Sequence, residues 1–244
     1  MIEVTPIPGV ALGLFNITMH GLFAAVGVGV GYLIFDKTTA RLPQHIKERL
    51  LVLLVLGGVL GARALYVLEN AGVFAAKPLD ALKVWQGGLS FMGAILLVVP
   101  LWYFYLKRKK MNFLAMADAA AAPVVAGHLI GRIGDLLTWD HPGTYSALPW
   151  AAIVNGQPQH PVIVYEMIGL ALILGVLHVA SRKVFFKQRL LFVYLGLYGL
   201  LRIVIDFYRV EPLFFGIRQA QIIGVLLVLF SLAMFKVLSR KRPQ

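Results

Sequence analysis

One apolar stretch decides the fold class of this chain: Arg49-Leu-Leu-Val-Leu-Leu-Val-Leu-Gly-Gly-Val-Leu-Gly-Ala-Arg-Ala-Leu-Tyr-Val-Leu68. Apart from Arg49 and Arg63, every side chain in it is uncharged, and most are aliphatic. A helix needs about 20 such residues to cross the hydrocarbon core of a bilayer. We therefore predict a transmembrane helix over residues 49–68.

Similar runs fill the rest of the chain. They predict helices at 15–35, 49–68, 89–106, 112–133, 162–180, 189–208 and 219–238. Of the 244 residues, 59% are hydrophobic and 14% are charged, whereas a typical soluble domain carries about 25% charged residues. We expect an all-α polytopic membrane protein of about seven transmembrane helices that forms one domain over residues 1–244. Glycine-rich stretches at 27–31 and 57–61 predict close contacts between helices.

The basic residues predict the orientation of these helices. Sixteen of the 23 Lys and Arg residues fall in the alternate connections 36–49, 107–110 and 182–189 and in the tail after residue 235. The connection 135–161 contains none. By the positive-inside rule, the N-terminus and the loop 135–161 are outside and the tail is cytoplasmic. Topology and attraction to anionic lipids thereby explain the net charge of +12, and we expect no nucleic acid as a partner.

Three arginines lie inside the predicted spans, where ionisable groups are costly and usually face a cavity with a partner. Arg63, Arg132 and Arg202 each fall near the outer end of a helix in the predicted orientation. Asp135 follows Arg132 by three residues and Asp206 follows Arg202 by four, so each pair shares one helix face. A single arginine near a helix end can also extend to the lipid headgroups, and this alternative stays open for Arg63.

Polar residues of the inward-running helices are predicted at the same depth in the membrane as these arginines, near its outer side. His20, Ser90 and Glu166 each lie near the outer start of a predicted helix, whereas His128 is mid-helix and is interpreted as a core residue. A guanidinium offers a rigid fork of donors that suits phosphate. We therefore predict a site for a phospholipid headgroup at the outer side of the membrane. The chain has no cysteine, which excludes a thiolate nucleophile and a thiolate metal site.

Five stretches of the chain resemble, in their order, the motifs of the bacterial prolipoprotein diacylglyceryl transferases. The nearest match is Gly131-Arg-Ile-Gly-Asp-Leu-Leu-Thr-Trp-Asp-His-Pro-Gly143, which is similar to the family signature Gly-Arg-Ile-Gly-Asn-Phe followed by an acidic residue and a glycine. The other four are Gly61-Ala-Arg-Ala-Leu-Tyr66, Gly87-Gly-Leu-Ser-Phe-Met-Gly93, His160-Pro-Val-Ile-Val-Tyr-Glu166 and Tyr198-Gly-Leu-Leu-Arg-Ile-Val-Ile-Asp206. The resemblance covers nearly the whole chain.

This resemblance implies an activity in the bacterial inner (cytoplasmic) membrane. The family transfers the diacylglyceryl group of phosphatidylglycerol to the cysteine thiol of a lipoprotein precursor and releases glycerol phosphate. It uses no cofactor and no metal, and its partners are phosphatidylglycerol, the precursor's signal peptide and other membrane lipids. By resemblance, Arg132 holds the lipid phosphate, Arg202 assists at the reacting headgroup, and Gly143 lets the outer loop approach closely. We assign catalytic roles to Arg132, Arg202, His20 and Asp206, and substrate-binding roles to Arg63, Ser90, Asp135, Asp140, Gly143, Tyr165 and Glu166.

The chain departs from the family at several of these positions. Met92 stands where the family has a histidine important for activity, and Asp135 replaces the signature asparagine. Asp140 and Asp206 replace glutamates, and His20 falls at a tyrosine position. Methionine cannot accept a proton, so for a catalytic chain we predict His20, a histidine in the outer half of a helix, as the proton acceptor. The alternative that His20 only hydrogen-bonds a headgroup or a neighbouring helix stays open. Asp135 should weaken anion binding unless a further cation compensates its charge.

These departures leave two alternatives open. One is a divergent paralogue with another acceptor, and the other is a non-catalytic phospholipid-binding accessory protein. A small transporter is disfavoured, because the cytoplasmic halves of the helices carry few ionisable groups and no polar path crosses the membrane.

Overall fold

The computed structural model describes residues 1–12, 15–214 and 216–240, and most of them are helical. The α-helices are α1 (Met19–Thr38), α2 (Gln44–Glu69), α3 (Ala71–Ala76), α4 (Phe91–Arg108), α5 (Phe113–Thr138), α6 (Val162–Ser181), α7 (Leu190–Ile205) and α8 (Gln219–Arg240). Short 3-10 helices lie at Pro78–Leu82, Val84–Gln86, Val184–Phe186 and Asp206–Tyr208.

Short strands accompany the helices. They are β1 (Ile2–Glu3), β2 (Gly9–Leu12), β3 (Phe15–Thr18), β4 (Ala152–Val154), β5 (Gln157–Gln159), β6 (Leu213–Phe214) and β7 (Ile217–Arg218). β1, β4 and β5 form one sheet in the order β1-β4-β5, with β1 parallel and β5 antiparallel to β4. β2 pairs with β3, and β6 with β7, as antiparallel two-stranded sheets.

The predicted fold class is confirmed. Among the described residues, seven helices, all of them except the short α3, are long and apolar enough to cross a membrane. The orientation of these helices stays a prediction, and Lys241 and Arg242 of the predicted cytoplasmic tail lie outside the described residues.

Two predicted helix boundaries were wrong in ways that matter for the site. The first helix was expected from residue 15, but Phe15–Thr18 pair with β2 and the helix begins at Met19. The Thr18 hydroxyl accepts the Gly21 N–H at 3.1 Å, which caps the first turn of α1. The fourth helix was expected to end at residue 133, but it continues to Thr138, so Asp135 lies within a helix and not in a loop.

By their internal contacts, the residues form two compact units. Unit 1 comprises Met1–Thr38 and Ala117–Gln244, and unit 2 comprises Thr39–Met116. Within unit 1, α5, α6 and α7 pack through Ala121, Val125, Leu170, Ile173 and Leu177 and their partly buried neighbours.

A second core of unit 1 lies at one end of these three helices. Trp139 follows α5, Val162 and Ile163 begin α6, and Ile205 ends α7; all of them pack with the strand β4. The β1-β4-β5 sheet therefore packs at the end of the bundle where α5 and α7 finish and α6 starts.

Glycines bring α1 against α5 in unit 1. A Cβ atom on Gly27 would collide with the Gly127 carbonyl oxygen, and a Cβ on Gly127 would lie only 2.7 Å from the Gly27 carbonyl oxygen. A Cβ on Gly134 would lie 2.7 Å from the Met19 carbonyl oxygen. The prediction of a close helix contact at 27–31 is confirmed, and the start of α1 is seated on the end of α5.

Unit 2 is built on α2 and α4. A Cβ atom on Gly61 or Gly93 would collide with the carbonyl oxygen of the other glycine, which confirms the close contact predicted for 57–61. The indole Nε1 of Trp102 also donates to the Leu50 carbonyl at 3.1 Å.

Candidate active site

Acidic and basic side chains of unit 1 alternate in a chain that crosses α1, α5, α6 and α7. We call His20, Arg132, Asp135, Glu166, Arg202 and Asp206 the ion-pair network. It begins at Asp135, which is 2% exposed. One carboxylate oxygen of Asp135 bonds to His20 Nδ1, and the other accepts from Arg132 Nη1. Asp135 is therefore shared between the imidazole and the guanidinium.

Glu166 is the next member of the network, and it joins two arginines. Arg132 Nη2 lies 3.0 Å from Glu166 Oε1, and Arg202 Nη1 lies 3.4 Å from Oε2. The Tyr198 hydroxyl donates to Oε1 at 3.4 Å, and His128 Nε2 lies 3.7 Å from the same oxygen. Glu166 is 2% exposed. An ionised carboxylate at this depth is tolerable because two cations compensate its charge.

Arg202 and Asp206 end the network on α7 and the 3-10 turn that follows it. Arg202 Nη2 lies 2.9 Å from Asp206 Oδ1, and Asp206 is fully buried. The two arginine–aspartate pairs predicted from the spacings of three and four residues are both confirmed. Their connection through Glu166 was not predicted.

The loop after α5 adds a second layer of polar residues. Arg209 Nη2 donates to His141 Nδ1 at 2.8 Å and lies 2.7 Å from Glu211 Oε1. His141 Nε2 lies 3.9 Å from Asp135 Oδ2, so this layer reaches the network. Burial, and after it the positive charge of Arg209, lowers the pKa of His141, which keeps the imidazole uncharged at neutral pH.

Gly143 lies where the loop meets the start of α6. A Cβ atom at this position would collide with the His160 carbonyl oxygen. The Gly143 N–H donates to Gln159 Oε1 at 2.8 Å, and its backbone bridges to Arg209. The close approach predicted for Gly143 is confirmed, while its role toward a substrate stays a prediction.

Two other predicted substrate-binding residues lie apart from the ion pairs. The Tyr165 hydroxyl accepts from Trp150 Nε1 at 3.0 Å and lies 3.3 Å from His160 Nδ1. The Tyr165 ring also packs near Tyr208, so Tyr165 belongs to an aromatic cluster under the loop. Asp140 is exposed on the loop.

Arg63, predicted to bind substrate, is a buried residue of unit 2 that holds the segment between α2 and α4. Its guanidinium stacks near the rings of Tyr66 and Phe74. Its N–H groups donate to the carbonyls of Asp80 (2.6 Å), Ala81 (2.9 Å), Gly87 (2.6 Å) and Gly88 (3.0 Å). These bonds give Arg63 a structural role, which explains its burial without a lipid.

Ser90 and Met92 lie close to that segment in unit 2. The Ser90 N–H donates to the Ala62 carbonyl at 3.0 Å and Ser90 precedes the first residue of α4. Met92 is 40% exposed. Its thioether offers no group that can take up a proton.

Four polar residues at the network were missed as site residues: His128, His141, Tyr198 and Arg209. His128 lies four residues before Arg132, and Tyr198 lies four residues before Arg202. Residues four apart share a helix face, so this spacing contained the signal. His141 and Arg209 lie in loops, where spacing gives no such signal.

The arrangement can hold an anion and move a proton. Arg132 Nε is buried and has no hydrogen-bond partner among the described residues, so one donor of its guanidinium is unsatisfied within the described part of the protein. His20 presents an imidazole that is 59% exposed. In the part of the chain that the structure describes, no group of three or more His, Asp or Glu side chains is placed to hold a metal ion.

Comparison with known proteins gives a consistent result. A sequence model of the prolipoprotein diacylglyceryl transferases matches residues 9–237. A phosphatidylglycerol–prolipoprotein diacylglyceryl transferase of Finegoldia magna is 29% identical over 227 residues, covering 90% of this chain and 91% of its own. Proteins of the same name from Polynucleobacter necessarius (31% identical; 85% of this chain, 84% of its own) and Clostridioides difficile (30%; 95% and 96%) are similarly close.

Proposed function

This chain belongs to the prolipoprotein diacylglyceryl transferase family, and we propose that it transfers the diacylglyceryl group of phosphatidylglycerol to the cysteine thiol of a lipoprotein precursor. The observation that carries this proposal is the pair of guanidiniums, Arg132 and Arg202, held 3.0 and 3.4 Å from one buried carboxylate. The relatives named above are diacylglyceryl transferases by name.

The reaction requires positive charge at the phosphate. The thiol sulfur bonds to the terminal glyceryl carbon, and the bond from that carbon to the phosphate oxygen breaks. The oxygen keeps the electron pair, so the phosphate goes from one negative charge in the lipid to two in glycerol phosphate, while the thiol proton passes to a base. Groups that stabilise charge as it develops lower the barrier most.

Arg132 and Arg202 are placed to stabilise this charge. A guanidinium binds phosphate oxygens through its fork of donors, and Arg132 retains a buried Nε without a partner among the described residues. Glu166 contacts both guanidiniums and Asp206 contacts that of Arg202, and these ion pairs orient them. We assign the two arginines to the phosphate, and the two carboxylates to positioning.

We place the acceptor at the loop that follows α5. Gly143, Asp140 and Tyr165 lie in or under this loop, and Gly143 lines a cleft of about 670 Å³ beside it. Arg63 and Ser90 lie in unit 2, where Arg63 orders the segment between α2 and α4; their predicted roles toward the substrate stay predictions. In this proposal, residues 1–244 are one transferase domain.

We also propose that the reaction occurs at the outer face of the bacterial inner membrane. By the positive-inside rule, the basic segments 36–49 and 107–110 favour the cytoplasmic side, and the loop 135–161, which has no Lys or Arg, favours the outside. The ion-pair network adjoins that loop, because Asp135 lies near the end of α5 before it and Glu166 lies near the start of α6 after it.

Complementation tests the proposed function in a bacterium depleted of its own transferase. The wild-type chain should restore growth and increase the mass of a reporter lipoprotein by one diacylglyceryl group. The double variant R132A/R202A is the matched control and should do neither while it still inserts in the membrane. A reporter of unchanged mass with abundant wild-type protein would contradict the proposal.

A non-catalytic phospholipid-binding protein is the second candidate, and Met92 favours it. This residue lies at the family's histidine position and cannot exchange protons. Such a protein would bind phosphatidylglycerol through Arg132 and Arg202 and leave the reporter unmodified. Retained lipid binding in detergent without any modification would therefore support this candidate.

A further inference from the structure

The proposed reaction needs a base. Met92 stands at the position where the family has a histidine, and its side chain cannot act as a base. A thiol has a pKa of about 8.5 and is mostly protonated at neutral pH. A positioned base that removes this proton contributes typically about 10²–10⁴-fold to the rate. Met92 cannot act as that base, so another group of the chain must do so if the chain is an enzyme.

Most candidate bases of unit 1 are already engaged. Glu166 and Asp206 are both buried, and each lies in an ion pair with a guanidinium. His141 Nδ1 accepts from Arg209, so its proton is on Nε2 and neither nitrogen is open. His128 lies against the Tyr198 ring, with its Nε2 directed at Glu166.

His20 differs from all of these groups. Its Nδ1 bonds to the buried carboxylate of Asp135, and no bond from its Nε2 to another described residue is found. The imidazole is 59% exposed while the carboxylate is 3% exposed. A carboxylate at Nδ1 fixes the tautomer with the proton on Nδ1, which leaves the lone pair of Nε2 on the open side.

We infer that His20 and Asp135 form a proton-accepting dyad, in which His20 Nε2 takes the proton of the acceptor thiol and Asp135 is the positioning residue. The inference rests on the proposed function. In the step, the S–H bond breaks to the imidazole as the S–C bond forms and the C–O bond to phosphate breaks. The proton is later released from Nε2 to water, which regenerates the neutral imidazole.

Because Asp135 contacts both His20 and Arg132, transfer of the proton to His20 affects the charge that Arg132 offers to the phosphate. In the resting state its carboxylate partly neutralises Arg132. Once His20 is an imidazolium, it neutralises Asp135 instead, and the charge of Arg132 becomes available to the phosphate that is gaining its second negative charge. Once it has taken up the proton, His20 is thus the cation that compensates Asp135. Asp140 and Arg132 are the other charged groups that act on His20.

Substitution of His20 tests the dyad in purified protein with phosphatidylglycerol and a cysteine peptide. H20Q should lose about 100-fold or more in kcat, with binding of phosphatidylglycerol retained. H20A should lose as much, and added imidazole should restore turnover in proportion to its concentration. H178A is the control, because His178 lies at the far end of α6 beside Arg182 and should be active and insensitive to imidazole.

Substitution of Asp135 separates a positioning role from a structural one. D135N keeps an oxygen that can accept from Nδ1 but loses the charge that stabilises the imidazolium, so kcat should fall more than about tenfold while the KM for phosphatidylglycerol does not rise. An H20Q protein with full turnover would overturn the dyad, and so would a D135N protein that changes only KM. If the wild-type chain itself transfers nothing, the proposed function fails instead, which is a different result.

Discussion

At the residue scale, the spacing of charged residues predicted which pairs would meet, but not what joins them. Arg132 with Asp135 and Arg202 with Asp206 follow from the period of a helix. The link through Glu166 depends on three helices converging at one end, which no spacing within a single helix encodes. His20 and Asp135 replace a tyrosine and an asparagine of the family at two distant positions in the sequence. Their side chains contact each other, so the two replacements belong to one pair.

The arginines give the first prediction. R132A and R202A should each lose a charged hydrogen bond of about 1.5–3 kcal/mol at the phosphate, which lowers kcat/KM by roughly 10- to 100-fold. R132K and R202K keep the charge without the fork and should lose less. Steady-state kinetics in detergent measures these effects, and normal activity of both alanine variants would exclude the phosphate role.

At the scale of helices and strands, hydropathy predicted the spans well and their ends poorly. The residues 15–18 were included in the first helix because their apolar content resembles a span, but they pair in the hairpin β2–β3. The β4–β5 hairpin could have been predicted from the sequence Asn155-Gly156, because Asn-Gly favours tight hairpin turns. Both residues adopt positive φ in the structure. The β1–β4 pairing joins residues about 150 positions apart, which sequence patterns do not predict.

The contact between α1 and α5 gives the second prediction. A methyl group at Gly134 would lie 2.7 Å from the Met19 carbonyl and 2.9 Å from His20 Cα. G134A should therefore displace the start of α1, separate His20 from Asp135 and reduce kcat more than it reduces the amount of protein in the membrane. G131A is the matched control, because its Cβ would meet nothing within 4 Å. Equal kinetics for the two variants would show that seating of α1 does not matter for turnover.

Asp118 gives the third prediction, which concerns stability. Its Oδ1 accepts the Leu191 N–H at 3.1 Å, so a side chain of α5 caps the N-terminus of α7. D118A should destabilise the protein by about 1 kcal/mol, as loss of a helix cap does, and D118N should cost less because it keeps an acceptor. Thermal unfolding in detergent measures both, and equal melting temperatures for D118A and wild type would refute the cap.

At the scale of the whole molecule, the apolar fraction and the seven long runs sufficed to predict a polytopic helical protein. Hydropathy contains no information on which helices contact one another, so it could not predict the division into Thr39–Met116 and the remainder.

The orientation of the helices in the membrane is predicted from charge alone. It gives the fourth prediction, since reporter fusions after Gly143 and after Lys110 should report opposite sides of the membrane, outside and inside respectively. The same side for both would reject the orientation.

The central claim is that this chain forms a thioether between a diacylglyceryl group and a cysteine. The most direct measurement is mass spectrometry of a cysteine-containing lipoprotein-precursor peptide after incubation with the purified protein and phosphatidylglycerol. We predict a peptide heavier by one diacylglyceryl group, one glycerol phosphate released for each peptide modified, and no change in a serine-substituted peptide. An unmodified cysteine peptide in the presence of protein that binds phosphatidylglycerol would contradict the claim.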